Sequence, residues 1–299
     1  MLRFTCCLVA SRYYLGGSEQ CLEVDAVEDM NAQHRIVTWN CNHAQATSDL
    51  WNYLLELDPD LALLQEVGSL PETLARTYDI RLASPRKQNG QAQPFRNALL
   101  VRGTVTGSLV LSASLDAVTN ALEYFTGNLP AYSVELLDGT RLKTVCAYSP
   151  WWRIDNLSQF EGADLSGIRL PHGRGVWVSD LLRAWLSDCH PDPQEHWVIG
   201  GDFNSSETFD HGRDSDRGNR EGLDKIATAG LVECLRCAQG DLTPTFRNTC
   251  GGAIMHQMDH LFVSSRMIRS LVRCETGSQE RVFAHHLSDH VPIIADFRL

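Results

Sequence analysis

Lysine is scarce in this chain. Only Lys87, Lys143 and Lys225 occur among 26 basic residues, so nearly all the positive charge is arginine. Positive charge is short overall too: 37 acidic residues leave a formal net charge of −11. A chain this acidic does not hold long nucleic acid or anionic lipid by counterion release alone. That excludes histone-like, ribosomal and polybasic membrane-surface roles. It does not exclude a phosphate-bearing substrate, since bound divalent cations reverse the local field. The arginines suit such a substrate, because a guanidinium fork contacts phosphate oxygens bidentately.

Long apolar runs are also absent. No stretch reaches the roughly 18 residues of a membrane span, so no span is expected. The short apolar run Phe4–Ala10 is interrupted by Arg12 and followed by no clean small-x-small cleavage pattern, which makes a weak signal peptide. An acidic stretch leads to Met30, just ahead of the first strong strand pattern. Residues 1–33 are therefore expected to form a poorly structured leader outside the fold. Residues 34–299 contain no Pro/Gly/Ser linker, low-complexity tract or short repeat, and read as one domain with enough length for a sizeable core. The one place a two-domain split could fall is the loop 149–175. The ten cysteines are scattered, as expected of reduced thiols in a cytoplasmic protein. The lone pair Cys234 and Cys237 lacks the second pair that a structural zinc site needs. A monomer is expected.

Hydrophobic patterning orders the domain. The β-rich run 35–40, helical spacing over 47–57 and the buried-type strand 61–66 read β-α-β, which places parallel strands side by side. Thr47 or Ser48 can cap the helix and Pro59 ends it. Strands are predicted at 79–83, 96–102, 107–111, 119–125, 131–137 and 141–148, with Asp138-Gly139 as a hairpin turn. After the loop 149–175, a helix at 176–188, a strand at 197–202 and a helix at 220–229 are predicted. Final strands fall near 258–264, 268–275 and 291–298. Asn97, near the start of its strand, is expected at the surface. A mixed α/β domain with two layered sheets accounts for the pattern.

Polar residues punctuate the strand ends. Asn40 and Glu66 close the first two strands, and Asp202 and Asn204 follow the strand Trp197–Gly201. Asp259 and His260 open a later strand, and Asp289 and His290 precede the last. Strand ends of α/β proteins gather at one rim, where loops carry function. Oxygen ligands of this kind suit Mg²⁺ or Mn²⁺ rather than zinc. A hard cation, a carboxylate and an imidazole together serve phosphate-ester hydrolysis. The metal neutralises charge and lowers the pKa of water, the carboxylate orients or deprotonates that water, and the imidazole supports charge on phosphoryl oxygens.

The ordered set Thr38-Trp39-Asn40, Leu64-Gln65-Glu66, Tyr148-Ser149-Pro150, Gly201-Asp202-Phe203-Asn204, Met258-Asp259-His260 and Ser288-Asp289-His290-Val291-Pro292 resembles the endonuclease/exonuclease/phosphatase superfamily. The resemblance covers about residues 35–299. It implies a deoxyribonuclease-like four-layered α/β sandwich with two central mixed sheets and a site at their common rim. It further implies Glu66 as main metal ligand for Mg²⁺ or Mn²⁺, with Asn40 and Asp289 as helpers at the metal. Asp202 and Asn204 match the pair that positions the nucleophilic water, and Asp259 and His290 match a carboxylate–imidazole dyad. Tyr148 stands where exonuclease III and abasic-site endonucleases carry a tyrosine and other members carry histidine.

The loop after Tyr148 does not match the substrate loop of the abasic-site enzymes. Trp151 and Trp152 are candidates to stack on a base, and Arg153, Arg169, His172 and Arg174 are candidates to contact phosphate. The expected activity is metal-dependent phosphodiester hydrolysis of DNA or RNA. A phosphomonoesterase or lipid- or small-molecule-phosphate hydrolase of the same fold and a catalytically silent binding module are the alternatives. A zinc site on His285, His286 and His290 ranks last, since neighbours on an extended segment alternate faces.

Overall fold

The computed structural model describes residues 33–157, 160, 162, 164–165, 168–171, 173, 175–211, 218–248 and 254–299. The expected leader, but for Gln33, lies outside the described residues. Strand β1 (Gln33–Asn40) has every side chain from Ile36 onward buried. A strand buried on both faces belongs inside a sheet covered on both sides. β1 runs parallel to β2 (Leu61–Val67) and antiparallel to β14 (Ile293–Arg298). These lie in a six-stranded sheet ordered β13-β14-β1-β2-β4-β3, with β13 at Leu271–Thr276, β4 at Arg96–Val101 and β3 at Asp79–Ala83.

The second six-stranded sheet is ordered β5-β6-β7-β8-β12-β9. Its strands are β5 (Gly103–Ser108), β6 (Ala131–Leu136), β7 (Arg141–Tyr148), β8 (Trp197–Asp202), β12 (Asp259–Ser264) and β9 (Leu231–Glu233). β7 and β8 are parallel and the other pairs antiparallel. A short ribbon, β10 (Phe246–Arg247) with β11 (Ile254–His256), stands apart from both sheets.

Side-chain alternation sorts the strands into layers. Ile36, Leu61 and Leu63 pack inward against Leu142, Cys146, Val198 and Leu261 of the second sheet. Their neighbours Val37, Trp39, Ala62 and Leu64 face outward, beneath α1 (Leu50–Leu57) and α7 (Gln279–Ala284). On the far side Val145, Ile199 and Phe262 are covered by α2 (Asp116–Tyr124), α3 (Val178–Cys189) and α4 (Asn219–Thr228). α5 (Cys234–Gln239) and α6 (Ser265–Ile268) contribute Cys234, Leu235 and Met267 to the core between the sheets. The result is a single domain of four layers, helix on sheet on sheet on helix, as the motif resemblance implies. Among the described residues no helix is long and apolar enough to cross a membrane.

Several local expectations are corrected. The segment 119–125 is not a strand but most of α2, which buries Val118, Ala121 and Leu122. The predicted strand 107–111 lies further upstream as β5, and residues 265–268 are a helix before β13 begins at Leu271. α1 starts at Leu50, whose N–H donates to the Ser48 hydroxyl, and ends at Asp58 in the left-handed region before Pro59. Asn97 is fully buried rather than on the surface, its Nδ2 donating to the carbonyls of Gly127 and Asn128.

Candidate active site

The two parallel pairs, β1/β2 and β7/β8, end at one rim. In register, Asn40 lies beside Gln65, Tyr148 beside Asp202 and Asp202 beside Asp259. Gly201 allows the last step of β8, because a Cβ there would meet the Ala147 carbonyl oxygen at 1.8 Å. The sheets are joined directly at this rim. The Asn40 Nδ2 of the first sheet donates to the Asp202 carboxylate of the second over 3.0 Å. Asn204 adds its backbone N–H at 2.8 Å and its Nδ2 at 3.1 Å to the same carboxylate. That Nδ2 also reaches the Ser149 carbonyl, which fixes the amide's orientation.

His290 lies just before β14 and Asp259 opens β12. Their Nδ1 and Oδ2 atoms are 2.7 Å apart, and both side chains are buried. The histidine is held from several sides. Its carbonyl accepts from the Trp39 indole N–H, its N–H donates to the Ser288 hydroxyl, and its ring packs on Phe246. Ser288 in turn donates to the Asn40 carbonyl, tying the last motif to the first. Burial opposes a charge on His290, but the charge and hydrogen bond of Asp259, with Asp202 and Asp289 beyond, outweigh it and push the imidazole up. Burial, reinforced by Asp259 and opposed by His290, raises the Asp202 carboxyl. Ligating atoms of Asp202, Asp259 and His290 all lie within 4.8 Å of one another.

Glu66 is reached through a bulge. The register of β2 against β4 shifts between Leu64 and Val67, and Glu66 takes φ of 51°. A positive φ is rare for a residue with a long side chain, and such bulges re-aim side chains near sites. The carboxylate is partly exposed and lies 3.4 Å from His43 Nε2. The Tyr148 phenol is buried close to Glu66 and Asp202. Burial, then the charges of Glu66 and Asp202, raise the phenol well above its ordinary range. Among the described residues no arginine or lysine pairs with Glu66, Asp202 or Asp259. Asp259 Oδ1 is buried without a hydrogen-bond partner among the described residues. Asp289 lines a neighbouring hollow with Asn42, Arg247 and Ser288.

The predicted substrate residues are placed less uniformly. Trp151 is 79% exposed, but Trp152 is 8% exposed and packs near Phe125 in the core beneath α2 and α3. A substrate contact by Trp152 is thereby overturned: its ring already covers apolar neighbours. Arg153 and Arg169 both pair with Asp155, which takes up much of their charge. His172 and Arg174 lie outside the described residues. His285 and His286 are exposed while His290 is buried, so the three do not share a site. Sequence reasoning missed His43 beside Glu66 and Thr245. The Thr245 hydroxyl accepts from the N–H groups of Met258 and Asp259. His43 follows the first motif by three residues, a signal available in the sequence. Thr245 sits in an undistinguished loop and carries no such signal.

No curated protein matches the sequence significantly. Among solved structures, an AP endonuclease from Archaeoglobus fulgidus superposes with TM-score 0.63 at 20% identity, covering 89% of this chain and 100% of that one. The 3′ phosphatase NExo from Neisseria, bound to a product DNA hairpin, gives 0.61 at 18% with the same coverage. The catalytic domain of Xenopus laevis APE2 gives 0.61 at 17%, covering 88% of this chain and 91% of that one. At these identities the likeness establishes a shared fold. The family model for the endonuclease/exonuclease/phosphatase family matches residues 37–290, nearly the whole domain. The chain therefore belongs to the endonuclease/exonuclease/phosphatase family of phosphoester hydrolases.

Proposed function

We propose that this protein is a divalent-metal-dependent phosphodiesterase that cleaves DNA or RNA by attack of an activated water. The observation that carries the reading is the buried Asp259–His290 pair set within 4.8 Å of Asp202 at the junction of both sheets. Asp259 accepts from Nδ1–H and so leaves Nε2 to face a phosphoryl oxygen, where a raised imidazole pKa favours a charged donor. Asp202, fixed by three donors from Asn40 and Asn204, orients the attacking water and takes its proton. Tyr148, whose phenol burial keeps protonated, is set close to Glu66 and Asp202 as a neutral donor at the site.

The donor set fits a hard cation. Ligating atoms of Asp202, Asp259 and His290 gather within 4.8 Å of one another, and Asp259 Oδ1 has no hydrogen-bond partner among the described residues, which leaves it acceptor capacity. In this reading Glu66, Asn40 and Asp289 would hold Mg²⁺ or Mn²⁺, which supplies charge neutralisation and a more acidic water. One observation favours the narrower alternative of a small phosphate ester. Arg153 and Arg169, candidates for a nucleic-acid backbone, are engaged by Asp155.

The test is a panel of DNA, RNA, bis-p-nitrophenyl phosphate and phosphomonoesters with Mg²⁺ and with Mn²⁺, run beside His290→Ala. Diester cleavage that falls by about 10²-fold or more in the variant is expected. No turnover of any diester sinks the nuclease reading, and monoester turnover alone moves the protein to the alternative.

A further inference from the structure

Asp259 and His260 are neighbours on β12, and strand alternation turns them to opposite faces. Asp259 meets His290 at the rim. His260 lies on the other face with Phe262, whose ring is 5.8 Å away. At 2% exposure it is too buried to meet a substrate. Its partners decide which nitrogen carries the proton. Thr243 donates its N–H to the Gln257 side-chain carbonyl, which orients that amide. Gln257 Nε2 then faces His260 Nδ1 and Glu233 Oε1, each at 3.3 Å, and has a hydrogen for both. Nδ1 is thus an acceptor, and the ring proton sits on Nε2. From there it is donated to the Ser205 carbonyl over 3.1 Å.

The acceptor is the informative part. A histidine buried only for packing can take any carbonyl, but this one takes the carbonyl of the residue that follows Asn204. Asn204 has φ of 47°, a left-handed backbone that a residue with a side chain keeps only where its surroundings hold it. His260 meets both of its flanks. Phe203 stands edge-on to the imidazole with ring centroids 5.5 Å apart, and Ser205 accepts from Nε2. The Ser205 hydroxyl also donates to Asn219 of α4, which anchors the side chain rather than the peptide. The backbone N–H and Nδ2 of Asn204 both end on Asp202, so a shift of this turn would carry two donors off that carboxylate.

We infer that His260 is a positioning residue for the hydrolysis: its Nε2–H on the Ser205 carbonyl and its ring against Phe203 hold the turn that keeps Asn204 on Asp202. The inference rests on the phosphodiesterase reading. It makes two adjacent residues of β12 serve one site from opposite faces, Asp259 through His290 and His260 through Asn204.

Two variants separate the two ring nitrogens. Glutamine can place its amide nitrogen near the position of Nε2, whereas asparagine reaches only that of Nδ1. His260→Gln therefore keeps a donor for Ser205, and His260→Asn keeps only the side toward Gln257. Hydrolysis of bis-p-nitrophenyl phosphate with Mg²⁺ is measured, and crystal structures of both variants are determined. His260→Asn is expected to lower kcat about tenfold or more with KM within about twofold, the signature of lost positioning. In its structure Asn204 Nδ2 is expected to leave Asp202. His260→Gln is expected to stay within about threefold of the native kcat, with Asn204 in place. Combined with Asn204→Ala, His260→Asn is expected to lower kcat no further, whereas a merely structural role would add its own loss. An unchanged kcat in His260→Asn, or a loss of about tenfold in a folded His260→Gln, overturns the inference. His260→Gln decides alone if His260→Asn does not fold. Failure of both to fold also overturns it and makes His260 a packing residue. Absence of turnover in the native protein sinks the phosphodiesterase reading alone, since the crystal structures still report whether Asn204 follows His260.

Discussion

His290 keeps a proton that burial alone would strip from it, because Asp259 lies 2.7 Å from its Nδ1 in a site with no competing cation among the described residues. The pair therefore has a defined hydrogen-bond direction, and the role of Asp259 is carried by the ring it orients. Asp259→Asn tests this. It keeps the shape and removes the charge, and it is expected to lower kcat about 10²- to 10⁴-fold with KM changed little. Steady-state kinetics on bis-p-nitrophenyl phosphate provide the check, and an unchanged kcat would remove Asp259 from the mechanism. Residue identity alone foretold much of this site: Asn40, Tyr148, Asp202, Asn204, Asp259 and His290 do converge. It did not foretell which of two adjacent tryptophans is buried. Trp151 and Trp152 have the same side chain, and only the packing of Phe125 against Trp152 distinguishes them.

At the scale of elements, the parallel pairs β1/β2 and β7/β8 were legible because their runs are apolar on both faces and end in Asn, Glu or Asp. α2 was not. Thr119, Tyr124 and Phe125 carry strand propensity, and over seven residues a period of 2 and one of 3.6 are hard to separate. Coverage of the second sheet decided it, since Val118, Ala121 and Leu122 fall on one helical face. The first sheet also carries a charged seam that patterning could not show. Asp296 of β14 accepts from Arg35 of β1 at 2.7 Å and from Arg273 of β13 at 2.8 Å. Burial works to raise the Asp296 carboxyl, but the hydrogen bonds and charges of Arg35 and Arg273 outweigh it and hold it below its ordinary value of 3.8. A depressed folded-state pKa contributes stability that is present above the unfolded value and is lost as pH falls through the folded one. Asp296→Asn should cost about 3 kcal/mol at pH 7, the low end for a broken buried pair because both arginines reach water. The gap to the unmodified protein should shrink below pH 4. Urea unfolding at pH 7 and pH 3.5 measures both, and a gap that is constant with pH refutes the assignment.

For the molecule as a whole, the net charge of −11 sets the terms of ligand binding. Part of that negative charge, on Glu66, Asp202 and Asp259, is gathered at one rim, where mutual repulsion favours any cation that binds the folded state alone. Mg²⁺ at about a hundred times its Kd should stabilise the fold by about 2.7 kcal/mol, a rise in Tm of roughly 5 °C for a domain of this size. Glu66→Ala should abolish most of the rise. Differential scanning calorimetry with and without EDTA decides it, and an equal rise in the variant places the cation elsewhere.

The hydrogen bond from Asn40 to Asp202 has a consequence in time as well as in space. It joins a sheet that cannot be completed early to one that can. β14 lies between β13 and β1, and His290 immediately precedes it, so the first sheet stays open along one side of β1 until residues 293–298 have been made. All six strands of the second sheet are synthesised by Ser264. The half of the site bearing Tyr148, Asp202 and Asp259 therefore belongs to a sheet whose strands all precede the one that closes the half bearing Asn40 and Glu66. A chain cut short before His290 carries the Asp202 and Asp259 carboxylates without their imidazole. The Asp259–His290 pair is therefore complete only when β14 fills the gap between β13 and β1.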